Sequence, residues 1–218
     1  MTYSATEKPE RRSVALRCLA ALTVSGLLFS ATPTSGQDET FIGTVAAVED
    51  GDTLTFHTDD GRCIEVRMSD YDSPEIPHHP GEAPACGNSA STSWPPQPLP
   101  GQPGGLEAGA ALRALALGKR ATALCHGSGG YGRLACHVTV EGQAESLNRQ
   151  MIRAGWGWVF DRPDWVRDRE AYRLEGAVRA DQTGWRGNPA SIEPYRWRRD
   201  CWNKGKVKWE RCPNAVLK

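Results

Sequence analysis

Residues 48–75 read VEDGDTLTFHTDDGRCIEVRMSDYDSPE, and the fold and the candidate site both hang on this stretch. Asp50, Asp52 and Asp72 are joined in it by Arg67 and Glu75. Thr53–His57 and Cys63–Met68 are rich in β-branched and apolar residues, and Asp59-Asp60-Gly61 between them reads as a hairpin connection. Such a hairpin brings Asp52, at the start of one strand, close to Asp72, just beyond the end of its partner. Two carboxylates for a hard cation, one further carboxylate and a guanidinium form a set suited to phosphate chemistry.

Taken singly, these pieces are ordinary. Asp-Gly is a common turn dipeptide, and Ser-Pro-Glu alone reads as a loop. The spacing of the whole set is what carries information: DGDT, then R-x4-D-S-P-E beginning fourteen residues after Thr53. In this the stretch resembles the staphylococcal nuclease (thermonuclease) family, whose motif is close to DGDT followed by R-L-x-G-I-D-x-P-E. The matching positions are Asp50, Asp52, Thr53, Arg67, Asp72, Pro74 and Glu75. Asp70-Tyr71 replaces the family's frequent Gly-Ile, and Ser73 its usual Ala or Thr.

Two later segments extend the resemblance, which covers roughly residues 40–198. Tyr131-Gly132-Arg133-Leu134-Ala135 is similar to the second family motif, D-R-Y-G-R-x-L-A. Its leading charges are replaced by Ser128-Gly129-Gly130. Pro194-Tyr195-Arg196-Trp197-Arg198 looks like the family's terminal P-x-x-W-R. The resemblance implies a calcium site on Asp52, Asp72 and the Ser73 carbonyl, with Asp50 outside it. It also implies Glu75 as base, Arg67 and Arg133 on the phosphate, and Tyr131 beside the substrate. The activity implied is cleavage of DNA and RNA without strict sequence preference, leaving 3′-phosphate ends. A rival reading is a non-catalytic OB-type module that binds single strands by stacking and backbone contacts. The filled acid and arginine positions favour the enzyme. A secreted structural domain would leave that constellation without a purpose.

The 218 residues suggest one domain with appendages. Lys8, Arg11, Arg12 and Arg17 precede an apolar run, Cys18–Ala31, and small residues through Gly36. This is the pattern of a secretory signal peptide over 1–36, with a cut between Ser30 and Gln37. The apolar run is short for a membrane span, so no membrane association is expected once it is removed, and an uncleaved anchor is the alternative. A periplasmic or secreted location follows, as a monomer with no stable protein partner and with DNA or RNA as substrate. Beyond residue 36 the chain holds 22 basic and 24 acidic side chains. That balance argues against a tight, non-specific nucleic-acid coat protein, although local fields can still focus a polyanion onto a site.

Six cysteines remain beyond the leader: Cys63, Cys86, Cys125, Cys136, Cys201 and Cys212. In an exported chain they read as three disulfides among fifteen possible connectivities. Cys125 and Cys136 bracket the GSGGYGR hairpin and are expected to pair. Cys63 would then join Cys86, and Cys201 would join Cys212. The lack of Cys-x-x-Cys argues against structural zinc.

The remaining pattern reads strand 41–48, the hairpin, a long proline- and glycine-rich surface loop over 76–105, and a helix over 107–117. Strands follow at 120–126 and 134–140, then a helix near 145–154. A short aromatic strand or loop follows at 156–160, and then a helix capped by Asp164, running to Gln182 and stopped by Gly184. This order predicts an α+β fold, a five-stranded Greek-key OB-fold barrel with about three helices. His78-His79, flanked by prolines, read as solvated rather than metal-ligating. The nuclease domain is expected over 37–198. Residues 199–218 form a basic extension, with Trp202 and Trp209 on a small disulfide-closed hairpin. It could serve as a cap on the barrel or as an arm that gathers polynucleotide.

Overall fold

The computed structural model describes residues 38–82, 86 and 95–217. The expected signal peptide lies outside the described residues, as do 83–85 and 87–94 of the proline-rich run. Strands β1 (Glu39–Val48), β2 (Thr53–Thr58) and β3 (Cys63–Met68) form an antiparallel meander. Helix α1 (Gly105–Ala116) separates the meander from the hairpin β5 (Arg120–Gly130) and β6 (Arg133–Val140). β6 lies parallel to β3, and β5 returns to β1, closing a barrel in the order β1-β2-β3-β6-β5. This is the expected five-stranded Greek-key closure. A two-residue strand β4 (Tyr71–Asp72) pairs with β7 (Trp158–Val159) outside the barrel.

Alternation along the strands fills the interior with Val45, Leu54, Phe56, Val66, Met68 and Val138. Leu112 of α1 and Leu147, Met151 and Ile152 of α2 (Leu147–Arg153) close over it. Ser146 caps α2 by accepting the Arg149 amide at 3.3 Å. Asn148 is buried and joins three elements: its Oδ1 accepts the Val138 amide, and its Nδ2 donates to the Ser69 and Cys136 carbonyls. The three expected disulfides, Cys63–Cys86, Cys125–Cys136 and Cys201–Cys212, are all present.

Four expectations need correction. The helix expected from Asp164 to Gln182 begins late: Pro163–Trp165 is a single 3-10 turn, and α3 spans Glu170–Ala180. Between them, the Arg167 amide donates to Asp70 Oδ1 at 2.8 Å and the Asp168 amide to Asp70 Oδ2 at 3.3 Å. That tertiary acceptor takes donors a helix would need, and Asp168 instead accepts the Glu170 amide at the true start. Gly184 opens a one-turn helix α4 (Gly184–Gly187) rather than ending α3.

The third correction concerns the proline-rich loop, whose last part is not a surface segment. Leu99 and Gln102 are buried, and Leu99 belongs to a second apolar cluster with Trp197, Trp202 and the Cys201–Cys212 bridge. His78 sits edge-on against Trp202 at 5.3 Å and faces Glu82, so of the two histidines only His79 is exposed. The fourth is the tail. It is no hairpin: α5 (Pro194–Trp197) continues into a wide turn over Arg198–Trp202, followed by 3-10 turns at Asn203–Gly205 and Trp209–Arg211. The wide turn puts residues five apart on one side, so the Trp197 and Trp202 indoles both donate to the Pro100 carbonyl, at 3.2 and 2.7 Å.

Asp70, which stands where the resembled motif carries glycine, has φ 77°, in the left-handed region. Its carboxylate makes the conformation tolerable by accepting the two amides above and pairing with His137 at 2.5 Å. Asp70→Ala should therefore lose ~2–4 kcal/mol, from left-handed strain and lost charge-assisted bonds. Asp70→Gly should lose less because its backbone is free at that φ. Urea unfolding checks the ranking, and an alanine variant as stable as the glycine variant would contradict it.

Candidate active site

The Val48–Thr53 turn and the β3–β4 corner face each other at one end of the barrel. Asp50 Oδ1 accepts the Asp52 and Thr53 amides at 2.9 and 2.7 Å, which folds the turn and fixes Asp52 above it. The corner is held to the turn by the Met68 amide on the Asp52 carbonyl (2.7 Å) and by the Tyr71 hydroxyl on the Gly51 carbonyl (2.8 Å). Gly51 leaves no room for a side chain, since a Cβ there would stand 2.7 Å from Ala108 and 2.8 Å from Ser73. Tyr71 is buried, so its departure from the resembled motif supplies a tie between the two halves of the site.

This geometry buries Asp52 and Asp72 side by side around Arg67. Arg67 Nη1 lies 3.2 Å from Asp52 Oδ1, and Nη2 donates to Asp72 Oδ1 at 2.5 Å. The Ser73 amide donates to Asp52 Oδ2 at 2.8 Å. Thr53 links the far side: its hydroxyl donates to Asp52 Oδ1 at 3.1 Å and accepts from Arg133 Nη1 at 3.1 Å. Arg133 is thus joined to the cluster through one hydroxyl. Tyr131 meets it by stacking under the Arg133 guanidinium at 5.7 Å, 89% exposed at the hairpin tip.

Glu75 joins the cluster through a residue to which the sequence assigned no role. Arg198 Nη2 donates to Asp72 Oδ2 at 2.6 Å, Nη1 donates to Asp72 Oδ1 at 3.2 Å, and Nη1 also bonds Glu75 Oε1. The Glu75 backbone is clamped by Gln102, whose Oε1 accepts the Glu75 amide at 3.0 Å and whose backbone amide donates to the Glu75 carbonyl at 2.7 Å. Arg198 carried a faint signal, as the last residue of P-x-x-W-R. Gln102 carried none, because it lies in an aperiodic proline-rich run.

Three carboxylates thus share two directly paired arginines in a buried site. Burial pushes the Asp52 carboxyl up to about 7, Arg67 opposing and Asp50 and Asp72 reinforcing the rise. Burial likewise pushes Glu75 up to about 8 against the pull of Arg198. Burial also works against the Asp72 charge, but Arg67 and Arg198 outweigh it and hold that carboxyl below its usual range. The hard oxygen donors and the surplus of carboxylates fit a hard divalent cation such as calcium. No group of three His, Cys, Asp or Glu able to hold a metal stands among the described residues. Water or substrate oxygens would have to complete the shell around Asp52 and Asp72.

The staphylococcal nuclease homologue family model matches residues 65–185. The chain is also similar to Protein ParB of Escherichia coli, 27% identical over 203 residues that cover 89% of this chain and 97% of that protein.

A carboxyl raised by folding contributes stability that is complete below its unfolded pKa and lost as pH rises through the folded value. For Glu75 the window runs from the ordinary 4.5 to about 8. In chelator, Glu75→Gln should therefore gain stability relative to the unaltered protein between pH 5 and pH 9, by more than about 1 kcal/mol. Chemical denaturation at both pH values measures the gain. A difference that does not change with pH would contradict the assignment.

Proposed function

The chain belongs to the staphylococcal nuclease homologue family, and on that premise we propose that it is an exported, calcium-dependent nuclease. Its substrate is DNA or RNA, and it hydrolyses phosphodiester bonds with little sequence specificity. The observation that carries this reading is the buried cluster of Asp52, Asp72 and Glu75 interleaved with arginines. A non-catalytic strand-binding surface has no use for buried carboxylates, which repel the phosphates it must hold. Three disulfides, and the absence among the described residues of any helix able to cross a membrane, are compatible with an extracellular or periplasmic protein. The leader pattern over 1–36 supports export.

Asp52 and Asp72 would hold the cation, with the Ser73 carbonyl beside them and Asp50 fixing the turn that presents Asp52. Bound there, calcium would polarise a phosphate oxygen and offset charge on the reacting phosphorus. In its ionised form Glu75 takes the proton of the attacking water; burial raises its pKa to about 8, which makes that form a stronger base than an exposed carboxylate. Arg67 and Arg133 hold phosphate oxygens with planar forks, so charge that builds in the transition state meets donors already in place. As water adds to phosphorus, the bond to the 5′ oxygen breaks, that oxygen takes a proton from solvent water, and the proton held by Glu75 returns to solvent. This leaves the 3′-phosphate end implied by the resemblance.

Digestion of single-stranded DNA in calcium should be abolished by chelator and by Asp72→Asn. Undiminished cleavage in chelator would contradict the cation assignment. Arg133→Ala should lower kcat by about 10²–10³-fold. Its unfolding midpoint should stay near that of the unaltered protein, because among the described residues its side chain bonds Thr53 and the Gly130 carbonyl and no carboxylate. Unchanged kcat would place the 128–133 hairpin tip outside the site.

A further inference from the structure

Arg198 lies beyond the matched segment 65–185 and has no part in the mechanism above. Its position is nevertheless built rather than casual. Trp197, next to it, is buried and bonded to the Pro100 carbonyl, and Trp202, four residues on, bonds the same carbonyl. The Cys201–Cys212 bridge closes the segment, and Gly101 and Val216 exchange backbone hydrogen bonds at 2.8 and 2.9 Å. The same 99–102 stretch carries Gln102, the clamp on Glu75. One anchored unit therefore fixes the Glu75 backbone and delivers a guanidinium to its carboxylate.

The lone pairs of Asp72 define what that guanidinium does. Oδ1 accepts from Arg67 and Arg198, and Oδ2 from Arg198. A dication ligated by either oxygen must sit against a guanidinium already bonded to that oxygen. Arg67 is the less free to leave: its side chain is 17% exposed, comes from a barrel strand and bridges both aspartates. The Arg198 side chain is 34% exposed and reaches in from the outer segment.

We propose that Arg198 is a positioning residue that competes with the divalent cation for Asp72 and Glu75. Its guanidinium holds the two carboxylates in register and gives them up as the cation binds, which frees Glu75 to meet water. This rests on the calcium-dependent reading above. It implies that the site binds calcium more weakly than its carboxylates alone would, because a resident cation must first be displaced.

The test is calorimetric titration of calcium into the unaltered protein and into Arg198→Gln and Arg198→Lys, without nucleic acid. Arg198→Gln should bind calcium about tenfold more tightly or better, since a unit positive charge a few ångströms away is removed. A site that had merely been damaged would bind more weakly. Arg198→Lys keeps the charge but not the fork, so its affinity should fall between the other two. It also serves as the readout should the glutamine variant fail to fold in chelator. If the unaltered protein binds calcium and both variants bind equally or more weakly, the competition is refuted while the nuclease reading stands. If the unaltered protein binds no calcium, both are refuted.

Discussion

Two aspartates buried around one arginine set the terms for the rest of this fold. Removing a carboxylate from water costs several kcal/mol, which attraction to a partner repays only in good geometry. Asp52 and Asp72 obtain that geometry from two chain corners that could not meet without the β2–β3 hairpin. Asp50 folds one corner, the Tyr71 hydroxyl and the Ser73 amide tie in the other, and Gly51 lets them approach. The barrel behind them supplies Arg67 and, through Thr53, Arg133. A site assembled in this way holds its charges before substrate arrives, the condition under which fixed charges lower a barrier most.

The barrel alone does not complete the cluster. Glu75 lies past β4, and its place is determined by residues 99–105 together with the C-terminal segment. A Cβ on Gly105 would stand 2.1 Å from the Glu75 carbonyl, so even the start of α1 is fitted to that peptide. The basic tail is thereby tied into the fold. Trp202 is buried in the second cluster, and Arg198 points its charge at the protein's own carboxylates, although Trp209 stays exposed. The segment packs on the 99–102 stretch, and through Arg198 it reaches the carboxylate cluster.

Much of this was legible in the residues. The alternation in β1, β2 and β3, the Asp-Gly turn and the cysteines bracketing the 127–133 hairpin are local signals, and local signals survive into the fold. The acid and arginine spacing named Asp52, Arg67 and Asp72, which the structure brings into one cluster. What escaped was tertiary. Asp70 interrupts a helix nearly a hundred residues away by accepting two of its amides, and no periodicity in 160–182 records that. Gln102 sits among prolines with no pattern to mark it. Arg198 is one arginine in an arginine-rich stretch, and only the anchoring of Trp197 and Trp202 on Pro100 aims it at Asp72.

At the centre of the site Arg67 and Asp72 act as one unit, a buried charge and its answer. A double-mutant cycle with Arg67→Met and Asp72→Asn, read by urea unfolding in chelator, tests that directly. Arg67→Met alone should cost ~3–5 kcal/mol, because it leaves buried carboxylates without their main counter-charge. In the Asp72→Asn background the same change should cost less, with a coupling of roughly 1–3 kcal/mol. Effects that add to within about 0.5 kcal/mol would mean that the two residues do not depend on each other, and the pair could not be the hub of the cluster.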